Sequence, residues 1–255
     1  MTGRSWRFAG LVAGLSAMLA MGSAGTLPAA ADDRPVAWSV PDVEMAGLVD
    51  AYQRAIRNAA IKHPSDARPL LPITGGGASV RVVALKWTGG GDIVDRNGRL
   101  NRDVWVSLPA ELKPNCRGAR DPILALQQVL GQPPQTGDYI LWDFSIAKRQ
   151  LFRPCASGGE IATPSCSVTL PNDPDAEARA KVDAEFAATR AFVFEQMWSS
   201  YTRNVHSFGY PFTGMGWSYD WNPKADDTYG ISEYIARKGA RVQNVRKVSP
   251  LKFCR

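Results

Sequence analysis

Four cysteines, Cys116, Cys155, Cys166 and Cys254, follow an N-terminal segment with the pattern of an export signal, and this pairing constrains the chain more than any other feature. The segment opens with Arg4 and Arg7, runs through apolar and small residues from Phe8 to Ala24, and ends in Leu27-Pro28-Ala29-Ala30-Ala31. A basic start, an apolar middle and a small-residue end are the parts of a secretory signal peptide, with cleavage expected after Ala31. A spanning helix wants about 20 strongly apolar residues, whereas this run contains Gly and Ser and meets Pro28 near its end. Residues 1–31 therefore read as a signal peptide and residues 32–255 as a single α+β domain, secreted or periplasmic and of a bacterial type, with no membrane association after cleavage.

An even number of cysteines in an exported chain reads as two disulfides, and Cys-x-x-Cys spacing is absent. Three pairings are possible. The expected one joins Cys155 to Cys166 across a short loop, worth about 3 kcal/mol in the chain-entropy account, and Cys116 to Cys254, tying the C-terminus to the middle. Removing residues 1–31 leaves 28 basic against 24 acidic residues, a net charge of +4. That surplus is mild and evenly spread, so no nucleic acid is implied, since such a partner calls for a clustered basic face.

Hydrophobic periodicity places three helices. Asp42 to His63 sets Met45, Val49, Tyr52, Ile56 and Ala60 at three- and four-residue steps and stops at Pro64. Asp121, Pro122 and Gly131 mark the N-cap, first turn and end of a second. A third runs from Asp175 to Tyr201, with Val182, Phe186, Val193, Met197 and Tyr201 on its apolar face. β-Branched and aromatic runs at Ser79–Trp87 and Asp103–Leu108 suggest a hairpin across Asn97-Gly98. Tyr139–Ser145 and Ser167–Leu170 are further strands, and Tyr229–Ala236 with Arg241–Val248 reads as a terminal hairpin. The fold class is α+β, a largely antiparallel sheet with three packed helices and two disulfides.

Candidate chemistry is sparse. Two histidines, His63 and His206, with four paired cysteines do not supply the three or four ligands of a zinc site, so no metal is expected. No Gly-x-Ser-x-Gly elbow is present. The runs Gly75-Gly76-Gly77 and Gly89-Gly90-Gly91 lack the Lys-Ser/Thr of a phosphate loop and suit turns. Carboxylates among aromatics remain: Asp220 inside Trp217-Ser218-Tyr219-Asp220-Trp221, and Glu233 twelve residues beyond. A carboxylate beside apolar rings has a raised pKa and can act as acid or base, or stabilise an oxocarbenium-like centre, which is glycosyl-transfer chemistry. The alternative is that Trp217, Tyr219 and Trp221 face the core while Asp220 caps a turn.

The tail Ser232–Val245 (SEYIARKGARVQNV) resembles the closing hairpin of the ADP-ribosyltransferase and NAD-glycohydrolase toxins, in which a glutamate-bearing strand is followed by a basic Gly turn and another strand. The resemblance implies Glu233 as the catalytic glutamate and Arg81 as the arginine that holds the dinucleotide. It covers fewer than twenty residues. Ile231 stands two before Glu233, where many transferases carry Glu or Gln, and the nearest run to their Ser-Thr-Ser strand is Thr163–Ser167; both departures bear against transfer to a protein side chain.

Three readings follow. In the first, Tyr210 to Trp221 lines a surface for a small-molecule or glycan ligand, with Tyr210, Trp217, Tyr219, Trp221 and His206 as contacts, because rings stack on sugar and nucleotide faces while polar atoms fix orientation. In the second, Glu233 and Asp220 converge on one cleft and cleave a glycosidic or N-glycosidic bond. In the third, the chain is a structural or inhibitory secreted module. None requires a cofactor, and the sequence names no protein partner.

Overall fold

The computed structural model describes residues 43–202 and 209–255; the expected signal peptide and His206 lie outside the described residues. Helix α1 (Val43–Ala60) leads, followed by strands β1 (Ser79–Trp87) and β2 (Val104–Val106), the single-turn helix α2 (Pro109–Leu112), α3 (Pro122–Val129), β3 (Tyr139–Ala147) and β4 (Leu151–Phe152). Helices α4 (Pro174–Ala180) and α5 (Ala184–Thr202) precede β5 (Trp217–Tyr219), β6 (Tyr229–Ser232), β7 (Tyr234–Ala236), β8 (Val242–Val248) and α6 (Pro250–Phe253). Every strand pair is antiparallel, in three small sheets ordered β1-β3-β8, β2-β7-β4 and β5-β6. The fold is α+β.

The run Val82-Val83-Ala84-Leu85 is apolar without alternation because both faces of β1 are covered. Val82 and Ala84 join Trp142, Phe144 and Ile146 of β3 in one core. Val83 and Leu85 face the other way, onto Leu126 and Val129 of α3 and onto the Cys116–Cys254 disulfide. Asp121 caps α3 by accepting from the backbone N–H groups of Ile123 and Leu124, both at 3.0 Å, and Gly131 follows the helix end at φ 61°, where a side chain would be strained. Cysteines pair as expected, Cys155 with Cys166 across 11 residues and Cys116 with Cys254 across 138. Disulfides suit an oxidising, extracytoplasmic compartment. Among the described residues no helix is long and apolar enough to cross a membrane.

Several expected pairings are corrected. β1 is partnered by β3 along its whole length, not by the 103–108 strand; β2 pairs with β7 and touches β1 only through the Val83–Ser107 bridge, whose two N–H···O bonds are both 2.9 Å. The terminal hairpin does not form, since β7 pairs with β2 and β4 while β8 pairs with β3. Residues 167–170 form no strand. The expected long helix is broken at Lys181–Asp183: Asp183 accepts from the Phe186 N–H at 2.9 Å and so starts α5, and Val182, at 88% exposure, sits in the break rather than on the apolar face. On α1 the buried residues are Ala51, Tyr52, Ala55 and Ala59, with Tyr52 donating its hydroxyl to the Gly209 carbonyl at 2.9 Å and meeting the Trp221 ring edge-on.

One buried cation organises the loops around β4. Arg153, fully buried, donates to the carbonyls of Leu71 at 2.9 Å and Ile161 at 3.2 Å and lies over the Tyr234 ring. These bonds fasten segments before β1 and after β4 to the β2-β7-β4 sheet.

Candidate functional site

The run Tyr229–Ala236 changes sheets in its middle. β6 pairs with β5 and β7 pairs with β2 and β4, and Glu233 is the residue between them. Such a switch frees a side chain from the regular in-and-out alternation. Here the freed side chain lines a cavity of about 400 Å³, a size that suits a small organic ligand. Its walls come from the ends of β1, β2 and β3, from the C-terminal side of α3 and α5, and from the segment entering β5.

Aromatic rings dominate those walls: Trp87, Trp105, Tyr139, Tyr210, Phe212 and Tyr219. Trp105 is steadied by an edge-on contact with Phe212 at 5.3 Å, and Tyr219 lies stacked on Trp217 at 6.3 Å. Trp87 and Tyr210 keep 41% and 45% of their surface exposed, so two rings remain free to stack on a ligand. Polar side chains other than the ring hydroxyls and Glu233 are fewer: Ser107, Gln132, Gln135, Gln196 and Ser200, with Lys86 from the end of β1.

Glu233 is the only carboxylate among the described residues that line the cavity. Its backbone N–H donates to the Gly216 carbonyl at 2.9 Å, while its carboxyl has no partner among the described residues. Burial pushes its pKa up to about 8, so the group holds a proton at neutral pH. Lys86 is pushed down from its ordinary value, first by burial and then by the neighbouring Arg102.

The other residues named from sequence lie elsewhere. Trp217 and Trp221 are each 3% exposed and belong to the core beside α1. Their indole N–H groups are satisfied by backbone, Trp217 donating to the Asp66 carbonyl at 3.0 Å and Trp221 to that of Gln132 at 2.8 Å. Asp220 is not in the wall of the cavity. It accepts from the Asn222 N–H at 2.8 Å, a turn-capping contact, and burial raises its pKa against that bond. Arg81 grips Asp143 through both its Nε, at 2.7 Å from Oδ1, and its Nη2; Arg246 adds a second contact at 2.8 Å. Those bonds, Arg81's first, hold Asp143 below the usual carboxylate range, and Arg81 itself stays outside the cavity. The structure thus brings Glu233, Tyr210 and Tyr219 to one cavity and leaves Asp220, Arg81, Trp217 and Trp221 out of its lining. His63 is exposed, its backbone N–H bonded to Asp66 at 2.7 Å.

Sequence reasoning passed over Trp87, Trp105, Tyr139 and Lys86, which it read only as strand residues. The one available signal was Lys86-Trp87 at the end of β1, a polar and a large aromatic residue where an apolar run stops. A smaller cavity of about 220 Å³, lined by Lys62, His63, Asp66, Thr213 and Thr228, shares Tyr219 with the first. Among the described residues no group of three or more His, Cys, Asp or Glu could hold a metal ion.

Fold and site together define a disulfide-stapled α+β domain with an aromatic cleft that carries one unpartnered acid. No protein-family model, curated protein or solved structure matches the chain.

Proposed function

We propose that the mature chain is a secreted or periplasmic protein that binds a sugar- or nucleotide-like ligand in the cleft around Glu233. The observation that carries this reading is the unpartnered Glu233 carboxyl within a wall of rings, two of them exposed. Glu233 is half-buried and its carboxyl has no partner among the described residues, so a ligand that bonds to it replaces solvent there, a net gain on the order of 1 kcal/mol. Exposed rings supply stacking area, and the Gln and Ser side chains supply orientation.

A second reading has a specific observation in its favour. An acid that stays protonated at neutral pH is what a general acid needs to protonate a leaving group, so Glu233 suits cleavage of a glycosidic or N-glycosidic bond. With Asp220 outside the cleft, the two-carboxylate arrangement of most glycosidases has no second member here. The acid would act alone, giving its proton to the departing oxygen or nitrogen while water adds at the anomeric carbon and returns a proton to the Glu233 carboxylate. The nicotinamide of NAD leaves as a neutral molecule and takes up no proton, so NAD is not the substrate this acid favours, and Arg81 is no dinucleotide holder.

The test is a titration of the mature protein with oligosaccharides, nucleosides and nucleotides, followed by tryptophan fluorescence and calorimetry. Saturable binding that is weakened by Glu233→Gln and by Tyr210→Ala is expected. Turnover in the wild type that Glu233→Gln abolishes, with binding retained, selects the enzyme. A folded protein that responds to no member of the panel overturns both readings.

A further inference from the structure

The class of ligand can be narrowed, on the reading of the cleft just given. Two side chains of opposite charge type, Glu233 and Lys86, line the same cavity. Neither has a hydrogen-bond or ion-pair partner among the described residues. They do not serve each other either, since neither contributes to the displacement of the other's pKa. Both side chains are therefore left available to a ligand in the cavity. Arg102 is close enough to disfavour the charged form of Lys86, a repulsion that an anion bound at Lys86 would offset. The carboxyl of Glu233, half-buried in the wall and protonated at neutral pH, offers one O–H donor and one carbonyl-type acceptor, which the paired donor and acceptor atoms of an amide-like edge match.

The exposed ring nearest Lys86 in the chain rests on glycine backbone. Trp87 lies against Gly89 and Gly137: a Cβ on Gly89 would overlap the ring, and one on Gly137 would stand 3.0 Å from its Nε1. A large ring that is 41% exposed and seated on two glycine backbones is a pre-arranged flat platform. A neutral sugar could stack there, yet it would leave the Lys86 side uncompensated.

We propose that the cleft takes a dipolar ligand, with a paired donor and acceptor for Glu233, an anionic group for Lys86 and a flat body for Trp87 and Tyr210, the chemistry of a nucleoside monophosphate. Base edges offer the paired donor and acceptor, base faces stack on aromatic side chains, and the phosphate supplies the anion.

Adenosine and guanosine 5′-monophosphates, their nucleosides, inorganic phosphate and maltotriose are titrated calorimetrically into the mature chain and into Lys86→Met and Glu233→Gln. At least one monophosphate should bind about tenfold or more tightly than its nucleoside. Lys86→Met should bring that monophosphate down to the affinity of the nucleoside, and Glu233→Gln should weaken both. A monophosphate that binds no better than its nucleoside, or binding of maltotriose alone, overturns the dipolar ligand while leaving the cleft a binding site. Heat from none of the probes overturns the cleft as well. The comparison of nucleotide with nucleoside uses the wild-type chain, so it stands even where a variant fails to fold.

Discussion

The backbone N–H of Glu233 donates to the carbonyl of Gly216 at 2.9 Å, and the same carbonyl accepts from the buried Arg153 guanidinium at 3.4 Å. The residue that leaves one sheet and has not yet joined the next is therefore anchored by its main chain, with its side chain left over for the cleft. A rigid mount of this kind favours binding, because little side-chain or loop freedom remains to be lost when a ligand arrives.

That placement has a consequence for stability against pH. Glu233 titrates at about 8 in the folded protein, against 4.5 as its ordinary value. Between those values the folded state keeps a proton that the unfolded chain has released, so stability falls as pH rises through the window and levels off above it. One pKa unit corresponds to about 1.4 kcal/mol, which puts the loss from this residue on the order of several kcal/mol. Glu233→Gln cannot ionise and lacks the slope. Urea unfolding should show the variant close to wild type near about pH 5 and more stable near about pH 9. A difference that stays constant across that range rules out the raised pKa.

The seat of Trp87 makes a second prediction. Gly89→Ala places a methyl group in the space of the indole, and the ring, being the free end of an exposed side chain, moves aside. Folding stability should change by less than about 1 kcal/mol, while ligand affinity falls as it does in Trp87→Ala. Crystal structures of the variant, or the change in its emission maximum, check the displacement. Unaltered binding in both variants removes Trp87 from the site.

How far the sequence could be read depended on whether the signal was local. Asp121, Pro122 and Gly131 fix α3 by neighbouring residues, and the presence of two disulfides followed from compartment and an even cysteine count, the pairing itself being one favoured among three. The 103–108 run is a strand by composition, but its partner lies more than a hundred residues away, and nothing in Val104-Trp105-Val106 says that it pairs with Tyr234–Ala236. Glu233 was visible as a carboxylate near aromatics. The cleft around it was not, because Trp87, Trp105 and Tyr139 come from three strands that meet only in the folded chain. Asp220 and the two tryptophans were drawn into the expected site by nearness in sequence, whereas burial against α1 decides their place.

The break between α4 and α5 separates two residues that a continuous helix would place on one face. Val182 is 88% exposed and Phe186 is 5% exposed, with the Arg179 guanidinium 4.1 Å from the centre of its ring. Val182→Gln should leave stability within about 0.5 kcal/mol of wild type, whereas Phe186→Ala should cost about 3 to 5 kcal/mol. Denaturant midpoints for the two variants decide the matter. A cost above about 2 kcal/mol for Val182→Gln would restore the uninterrupted helix.

The segment from Tyr210 to Trp221 divides between wall and core, and two substitutions in it should behave oppositely. Trp221 is 3% exposed, donates to the Gln132 and Gln127 carbonyls at 2.8 and 3.2 Å, and packs against Tyr52. Its replacement by Ala opens a cavity and leaves buried carbonyls without a donor, a loss of about 3 to 5 kcal/mol. Tyr210 is 45% exposed and lines the cleft. Tyr210→Ala should hold stability within about 0.5 kcal/mol while weakening any ligand that stacks in the cleft by several-fold. Urea unfolding measured with and without a saturating ligand reads both effects in one experiment: Trp221→Ala lowers the midpoint in either condition, and Tyr210→Ala lowers only the ligand-dependent increment. If Trp221→Ala unfolds like wild type, or Tyr210→Ala keeps the full increment, the division of the segment into wall and core is wrong at that residue.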